Sequence, residues 1–242
     1  MIGLIAAAAL ATLPPAVAEG QHPHAPIASS GYAFQLHLPP GAAATKPARY
    51  PLMIFLHGSG ERGTNLDQVK AHGPPKIAGR DPRFPSLLIS PQLPADQDWN
   101  LDKLSALLAW ALKTLPADLD RVVLTGLSRG GHATWRWGAA DPWRFAAIAP
   151  VAGRGVPATA CALKDMPVWA FHGDRDDVVT PEGSFAMARA IRACGGQPRL
   201  TIYPDLGHNS WDPAYDDPRS TIGLSPSGGR PRTRNSNDPF PR

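Results

Sequence analysis

Long apolar runs are scarce in this sequence. Only residues 1–18 hold one, about a dozen residues long, against the ~20 a membrane-spanning helix needs. No membrane span is therefore expected. Cysteine is nearly absent: Cys161 and Cys194 allow one disulfide or two unrelated thiols, and their order along the chain does not decide between these. Metal-binding patterns are also missing, because His22 and His24 have no cysteine or third ligand at a suitable spacing. No metal is expected. Charged residues make up only 18% of the chain and hydrophobic residues 43%. Glycine and proline, 23 and 28 of 242 residues, stay below the ~25–30% that marks low-complexity chains. These shortages exclude a coiled coil, a collagen, a disordered chain and a string of domains, and leave one globular body.

The two ends of the chain differ from that body. Formal charge is +4, and residues 219–242 account for all of it, with Arg219, Arg230, Arg232, Arg234 and Arg242 against Asp238. The rest is neutral, so no basic face for a nucleic-acid partner is expected. The stretch 219–242 has no helical period and little to bury, and reads as a disordered basic tail. Residues 1–18 carry no charged side chain, break at Pro14-Pro15 and end in the small-x-small triplet Ala16-Val17-Ala18. That pattern predicts a signal peptide, a mature start at Glu19, and a secreted or periplasmic protein. Residues 19–218 are then the catalytic domain.

Within 19–218, short apolar runs alternate with helical patterns. Strands are predicted at 34–38, 52–57, 87–90, 121–127, 146–151, 168–172 and 200–203. Several are apolar almost throughout, as for parallel strands covered on both faces. Leu101, Leu104, Leu107, Leu108, Leu112 and Leu115 share one helical face that Asn100 can cap. A second helix is predicted from Thr180-Pro181 to Cys194, stopped by Gly195-Gly196. The alternation predicts an α/β protein with a mostly parallel central sheet flanked by helices. Residues 58–83 show no clear periodicity and read as a long loop at the carboxyl edge of the sheet, where open α/β sheets keep their sites.

Gly126-Leu127-Ser128-Arg129-Gly130-Gly131 contains G-x-S-x-G between a predicted strand and a helix-compatible stretch. Small flanking residues permit a sharp turn that presents the serine hydroxyl, and the helix start behind it offers free amide hydrogens. A serine needs a base, and the base needs an orienting acid. After the predicted strand 168–172 comes a loop with three candidate acids, Asp174, Asp176 and Asp177. After the next strand comes Gly207-His208-Asn209-Ser210-Trp211. The order Ser, Asp, His, each following a strand, is that of the α/β-hydrolases. Ser128 is the expected nucleophile, His208 the base, and the amide of Arg129 one oxyanion donor. The Arg129 side chain reads either as a contact for an anionic substrate or as a salt-bridged surface group. Trp99 and Trp211 read either as packing residues or as walls of an acyl or aryl pocket. His57 and His172, each before a glycine at a strand end, read as loop-formers.

The strings Leu56-His57-Gly58-Ser59-Gly60-Glu61-Arg62-Gly63, Lys70-Ala71-His72-Gly73-Pro74-Pro75-Lys76 and Ser90-Pro91-Gln92 join those motifs. Together they resemble the secreted polyhydroxybutyrate-depolymerase and feruloyl-esterase type of α/β-hydrolase, more narrowly the esterases grouped there as predicted peptidases. The resemblance covers about residues 31–218. It implies an α/β-hydrolase fold, Asp176 as the acid, and the Ser59 amide as the second oxyanion donor; no segment is long enough for a separate lid domain. It also implies no cofactor and a small-molecule or polymeric ester as substrate. Similar enzymes continue past Trp-Asp-Pro-Ala-Tyr into a final amphipathic helix, which the basic tail here does not resemble. Two other readings remain: a peptidase of the prolyl-oligopeptidase type, and a non-catalytic binding protein on a hydrolase scaffold.

Overall fold

The computed structural model describes residues 19–44 and 48–216. The predicted signal peptide at 1–18 and the whole of the predicted tail at 219–242 lie outside these residues. In chain order the regular elements are β1 (Gly20–His24), β2 (Phe34–Leu38), β3 (Tyr50–Leu56), α1 (Gly73–Ala78), β4 (Leu87–Pro91) and α2 (Leu101–Thr114). These are followed by β5 (Ala117–Leu127), α3 (Arg129–Ala140), β6 (Ala147–Val151), β7 (Trp169–Gly173), α4 (Glu182–Ala193), β8 (Arg199–Tyr203) and α5 (Trp211–Asp216). The eight strands form one sheet in the order β1-β2-β4-β3-β5-β6-β7-β8. The pairs β1–β2 and β2–β4 are antiparallel, and all others are parallel.

The period of two along β3 divides its side chains between two cores. Leu52, Ile54 and Leu56 join one apolar cluster, Met53 and Phe55 the other. Both faces are covered, which is why the strand reads as an unbroken apolar run. On α2 the side chains of Leu104, Leu107, Leu108 and Ala111 are buried, and Asn100 caps the helix by accepting the Lys103 amide hydrogen at 3.0 Å. Each such leucine contributes about 1.5–3 kcal/mol by leaving water. No helix among the described residues is long and apolar enough to cross a membrane.

The expected strands are all present, with ends displaced by at most two residues, apart from β5. That strand begins at Ala117, because Tyr50 pairs with Ala117 across a register shift before the regular β3–β5 ladder starts at Leu52 and Val122. Strand β1, Gly-Gln-His-Pro-His, was not foreseen. It has no apolar alternation and is held at the sheet edge by its ladder to β2. Helix α4 starts one residue after the expected Pro181, whose carbonyl accepts the Phe185 amide at 3.0 Å. Residues 58–83 are not a plain loop. They contain a 3-10 segment, Leu66–Ala71, and α1. Cys161 and Cys194 form a disulfide, with Cα atoms 5.3 Å apart, between the 3-10 segment Pro157–Leu163 and the end of α4.

Candidate active site

Ser128 sits between β5 and α3 with φ at 52°, a left-handed conformation that a serine adopts only where its surroundings hold it. Its amide donates to the Val151 carbonyl on β6 at 2.9 Å. The flanking glycines allow this turn to pack tightly. A Cβ on Gly130 would lie 1.8 Å from the Leu56 carbonyl oxygen, and one on Gly131 would lie 2.4 Å from that of Val151. Helix α3 can therefore start against the ends of β3 and β6, and no larger residue fits there.

The candidate acid and the candidate base come from two loops locked to each other. The Asp174 amide donates to the Tyr203 carbonyl at 3.1 Å, and the Arg175 amide to that of Leu206 at 3.0 Å. Arg175 and Asp205 also pair through their side chains. A Cβ on Gly173 would lie 2.1 Å from the Leu206 carbonyl, so this contact requires glycine. The pairing brings His208 Nδ1 to 2.7 Å from Asp176 Oδ2 and His208 Nε2 to 2.9 Å from Ser128 Oγ. The Asp176 side chain is fully buried, and its Oδ1 accepts the amide hydrogens of Val178 at 3.0 Å and Val179 at 2.8 Å. Three hydrogen bonds thus converge on one buried carboxylate and fix its orientation. Ser128, His208 and Asp176 thus form a continuous hydrogen-bonded chain, whereas Asp174 and Asp177 stand outside it. Such a chain can draw a proton from the serine hydroxyl while holding one imidazole tautomer.

The loop after β3 lies beside the serine. A Cβ on Gly58 would come within 3.5 Å of the Ser128 Cβ. The Gly58 amide donates to Glu61 Oε2 at 2.9 Å, and among the described residues the following amide, that of Ser59, has no protein acceptor. The Arg129 amide opens α3 and likewise has no acceptor within the helix. The Arg129 guanidinium donates to Ser59 Oγ at 3.0 Å and pairs with Asp98 at 3.3 Å, so the salt-bridged alternative describes its position. Beneath the loop, Leu93 donates its amide hydrogen to His57 Nε2 at 2.9 Å and His57 Nδ1 donates to the Gly58 carbonyl at 2.7 Å. Burial pushes the pKa of His57 down to about 4, so the ring is neutral.

The two tryptophans separate. Trp211 stands edge-on to the His208 ring, centroids 5.2 Å apart, and is partly exposed. Trp99 does not reach the surface. It is 2% exposed in the core, packed against Tyr32 and, at 5.0 Å, His57, because the chain after β4 turns inward before α2. Its place is behind the site wall and not on it.

Sequence reasoning missed three residues that shape the loop. Glu61 holds the Gly58 amide, Gln92 donates to the carbonyls of Glu61 and Asn65 at 2.9 and 2.8 Å, and Arg62 donates to those of Ser59 and Ala95 at 3.1 and 2.7 Å. All three fall in strings that carried the family resemblance, and that was the available signal. Among the described residues, no group of three or more His, Cys, Asp or Glu side chains is arranged to hold a metal ion.

Residues 89–222 match the family described as phospholipase/carboxylesterase, just over half of the chain. A Nocardia uniformis subsp. tsuyamanensis protein named as an esterase, NocK, is 29% identical over 183 residues, 71% of this chain and 53% of its own. An Escherichia coli K12 protein named as a carboxymethylenebutenolidase is 26% identical over 117 residues, 45% of this chain and 43% of its own. The chain thus spans about half the length of these curated relatives. Among solved structures, a thermostable esterase superposes with a TM-score of 0.69 at 27% identity, covering 83% of this chain and 60% of that one. A ferulic acid esterase superposes with a TM-score of 0.63 at 15% identity over 80% of this chain and 91% of that one, a likeness of fold alone. The sheet order, the positive-φ serine after β5 and the family match agree: the chain belongs to the phospholipase/carboxylesterase family and has the α/β-hydrolase fold.

Proposed function

We propose that the protein is a secreted or periplasmic serine esterase of the polyhydroxybutyrate-depolymerase and feruloyl-esterase type, cleaving short acyl or aryl esters, small or polymeric. The observation that carries this reading is the hydrogen-bonded sequence from Ser128 through His208 to Asp176, at 2.9 and 2.7 Å, ending on a serine at positive φ. In this reading Ser128 Oγ attacks the ester carbonyl carbon as His208 Nε2 takes its proton. The carbonyl oxygen becomes an oxyanion held by the amides of Ser59 and Arg129. His208 then returns the proton to the departing alkoxide, leaving an acyl-enzyme that water cleaves by the same steps. Asp176 stays ionised throughout and stabilises the imidazolium. No step calls for a cofactor. Each oxyanion donor is worth about 10²–10³ in rate.

Residues 19–218 form the catalytic domain in this proposal, and 1–18 are removed on export. Support comes from the start of β1 at Gly20, next to the predicted cleavage at Ala18, and from the Cys161–Cys194 disulfide, a bond that persists in oxidising compartments. The deciding experiment is intact-mass analysis after treatment with a fluorophosphonate, with peptide mapping and Ser128→Ala as control. One adduct on Ser128, absent from the variant, is expected. Folded wild-type protein that takes up no adduct would overturn the reading.

A further inference from the structure

Behind Asp176 lies a second histidine to which the chemistry above gives no part. His172 closes β7 and has no solvent exposure. Its Nε2 lies 2.7 Å from the Val179 carbonyl oxygen and 3.2 Å from Asp176 Oδ2. Both neighbours only accept hydrogen bonds, so Nε2 must carry a hydrogen. That hydrogen is donated to the Val179 carbonyl, and its positive edge faces Oδ2, the same oxygen that receives His208. Val179 in turn donates its amide hydrogen to the other oxygen, Oδ1, at 2.8 Å. One imidazole therefore governs both ends of the carboxylate: Oδ2 directly, and Oδ1 through residue 179.

The ring is itself braced from two further elements. Nδ1 lies 2.8 Å from Ser184 Oγ on α4, and that hydroxyl is 3.1 Å from the Gly153 carbonyl on the loop after β6. Ser184 is 1% exposed, so neither contact competes with water. The ionisable groups around the ring are Asp176 on its own loop, His208 on the loop after β8, and Glu182 in the first turn of α4. Arg154 follows Gly153 on the loop after β6.

We propose that His172 is a positioning residue of the ester-cleaving site: its Nε2 hydrogen fixes Asp176 and tempers the charge on the oxygen that His208 uses. The proposal rests on the functional reading above. A carboxylate relieved of this N–H would hold the His208 imidazolium more strongly and in a looser geometry. The enzyme would then need a higher pH to free its base, and would turn over more slowly once it had.

The test uses the full chain, with para-nitrophenyl acetate as substrate and the fluorophosphonate as a substrate-independent probe. In His172→Leu, which fills the space but supplies no hydrogen, kcat should fall on the order of tenfold, with KM within about twofold, as misplacement of a catalytic group predicts. The acid limb of the pH profiles for kcat/KM and for labelling should move to higher pH. His172→Gln, which places an amide N–H near the Nε2 position, should restore most of the rate and return the limb. Ser184→Ala should move the limb in the same direction by less. A folded His172→Leu with an unmoved limb overturns the proposal, as do Leu and Gln variants equally impaired at an unmoved limb. If His172→Leu fails to fold, an unmoved limb in Ser184→Ala overturns it instead. Loss of the functional reading looks different, since wild-type protein would then take no label on Ser128.

Discussion

Two corners of the molecule use the same dipeptide. His57-Gly58 follows β3 and His172-Gly173 closes β7, and both rings are fully buried. Their hydrogens lie on opposite nitrogens. At the first corner the Leu93 amide points its hydrogen at His57 Nε2, so that nitrogen must stay bare, and Nδ1 donates to Gly58. At the second, Nε2 faces two acceptors and must be protonated. A buried histidine is thus defined by what faces its second nitrogen and not by the motif it stands in. The first ring supports an amide-bearing loop, and the second meets a carboxylate.

The glycines differ as sharply, and replacing Gly173 gives the largest expected effect. A Cβ at Gly173 meets backbone, the Leu206 oxygen at 2.1 Å and the Gly207 oxygen at 2.4 Å. A Cβ at Gly58 meets the tip of a side chain, Leu127 Cδ1, at 2.8 Å. Gly173→Ala should separate the acid loop from the histidine loop, with a loss of about 3 kcal/mol in stability and at least ~100-fold in labelling rate. Gly58→Ala should cost only about 1 kcal/mol. Denaturant titration and labelling kinetics read both, and equal losses would break the contrast.

The neutral corner makes a pH prediction. His57 has its pKa pushed from the ordinary histidine value down to about 4 by burial, and in the unfolded chain it returns to ~6.5. Between those values the unfolded chain binds a proton that the folded one refuses, so stability falls as pH falls. The contribution is fully present above about pH 6.5, and roughly 3 kcal/mol is lost by pH 4. Tm measured across this window should drop more steeply for wild type than for His57→Gln, which has no such proton to take up. Parallel curves would place the acid sensitivity elsewhere.

Legibility from sequence follows the range of the interactions. Strand β3 was readable because burial on both faces makes every residue apolar, and α2 because its leucines keep a single face. Ser128 and His208 stood out because chain order and strand ends together constrain them, whereas Asp176 was separated from Asp174 and Asp177 only by the family resemblance. Strand β1 was not readable, because its pairing with β2 depends on a neighbour and not on its own side chains. Trp99 stayed open between packing and pocket wall for a related reason: nothing local tells whether an aromatic ring turns inward. The tautomers of His57 and His172 lie furthest from sequence, since Leu93 and Val179 determine them from across a loop.

A smaller effect is expected at the buried carboxylate of the first corner. Glu61 Oε2 holds the Gly58 amide at 2.9 Å and lies 3.7 Å from His57 Nδ1, while Oε1 is 3.8 Å from His72. Glu61→Gln keeps an oxygen for the amide but removes its charge, and kcat should fall about three- to tenfold with the acid limb unmoved. That unmoved limb sharpens the contrast with His172→Leu, because the two substitutions disturb opposite sides of the serine. A shifted limb in Glu61→Gln would mean that both corners reach the base.

The smallest effect belongs to Arg129, whose guanidinium spans Ser59 Oγ and Asp98 at the rim of the first corner. The ion pair with Asp98 is largely solvent-facing, and such pairs contribute about 0–1 kcal/mol. Arg129→Met keeps the backbone amide and most of the side-chain bulk, and removes only the charge and the tether to Ser59. Turnover should fall no more than about threefold, and by the same factor for neutral and anionic ester substrates, because the charge is already engaged by Asp98. Measured on a matched pair of aryl esters differing by one carboxylate, a loss confined to the anionic member would show that the guanidinium leaves Asp98 to meet the substrate. The rim of the first corner would then select substrate, and its contrast with the second corner would lie in recognition as well as in charge.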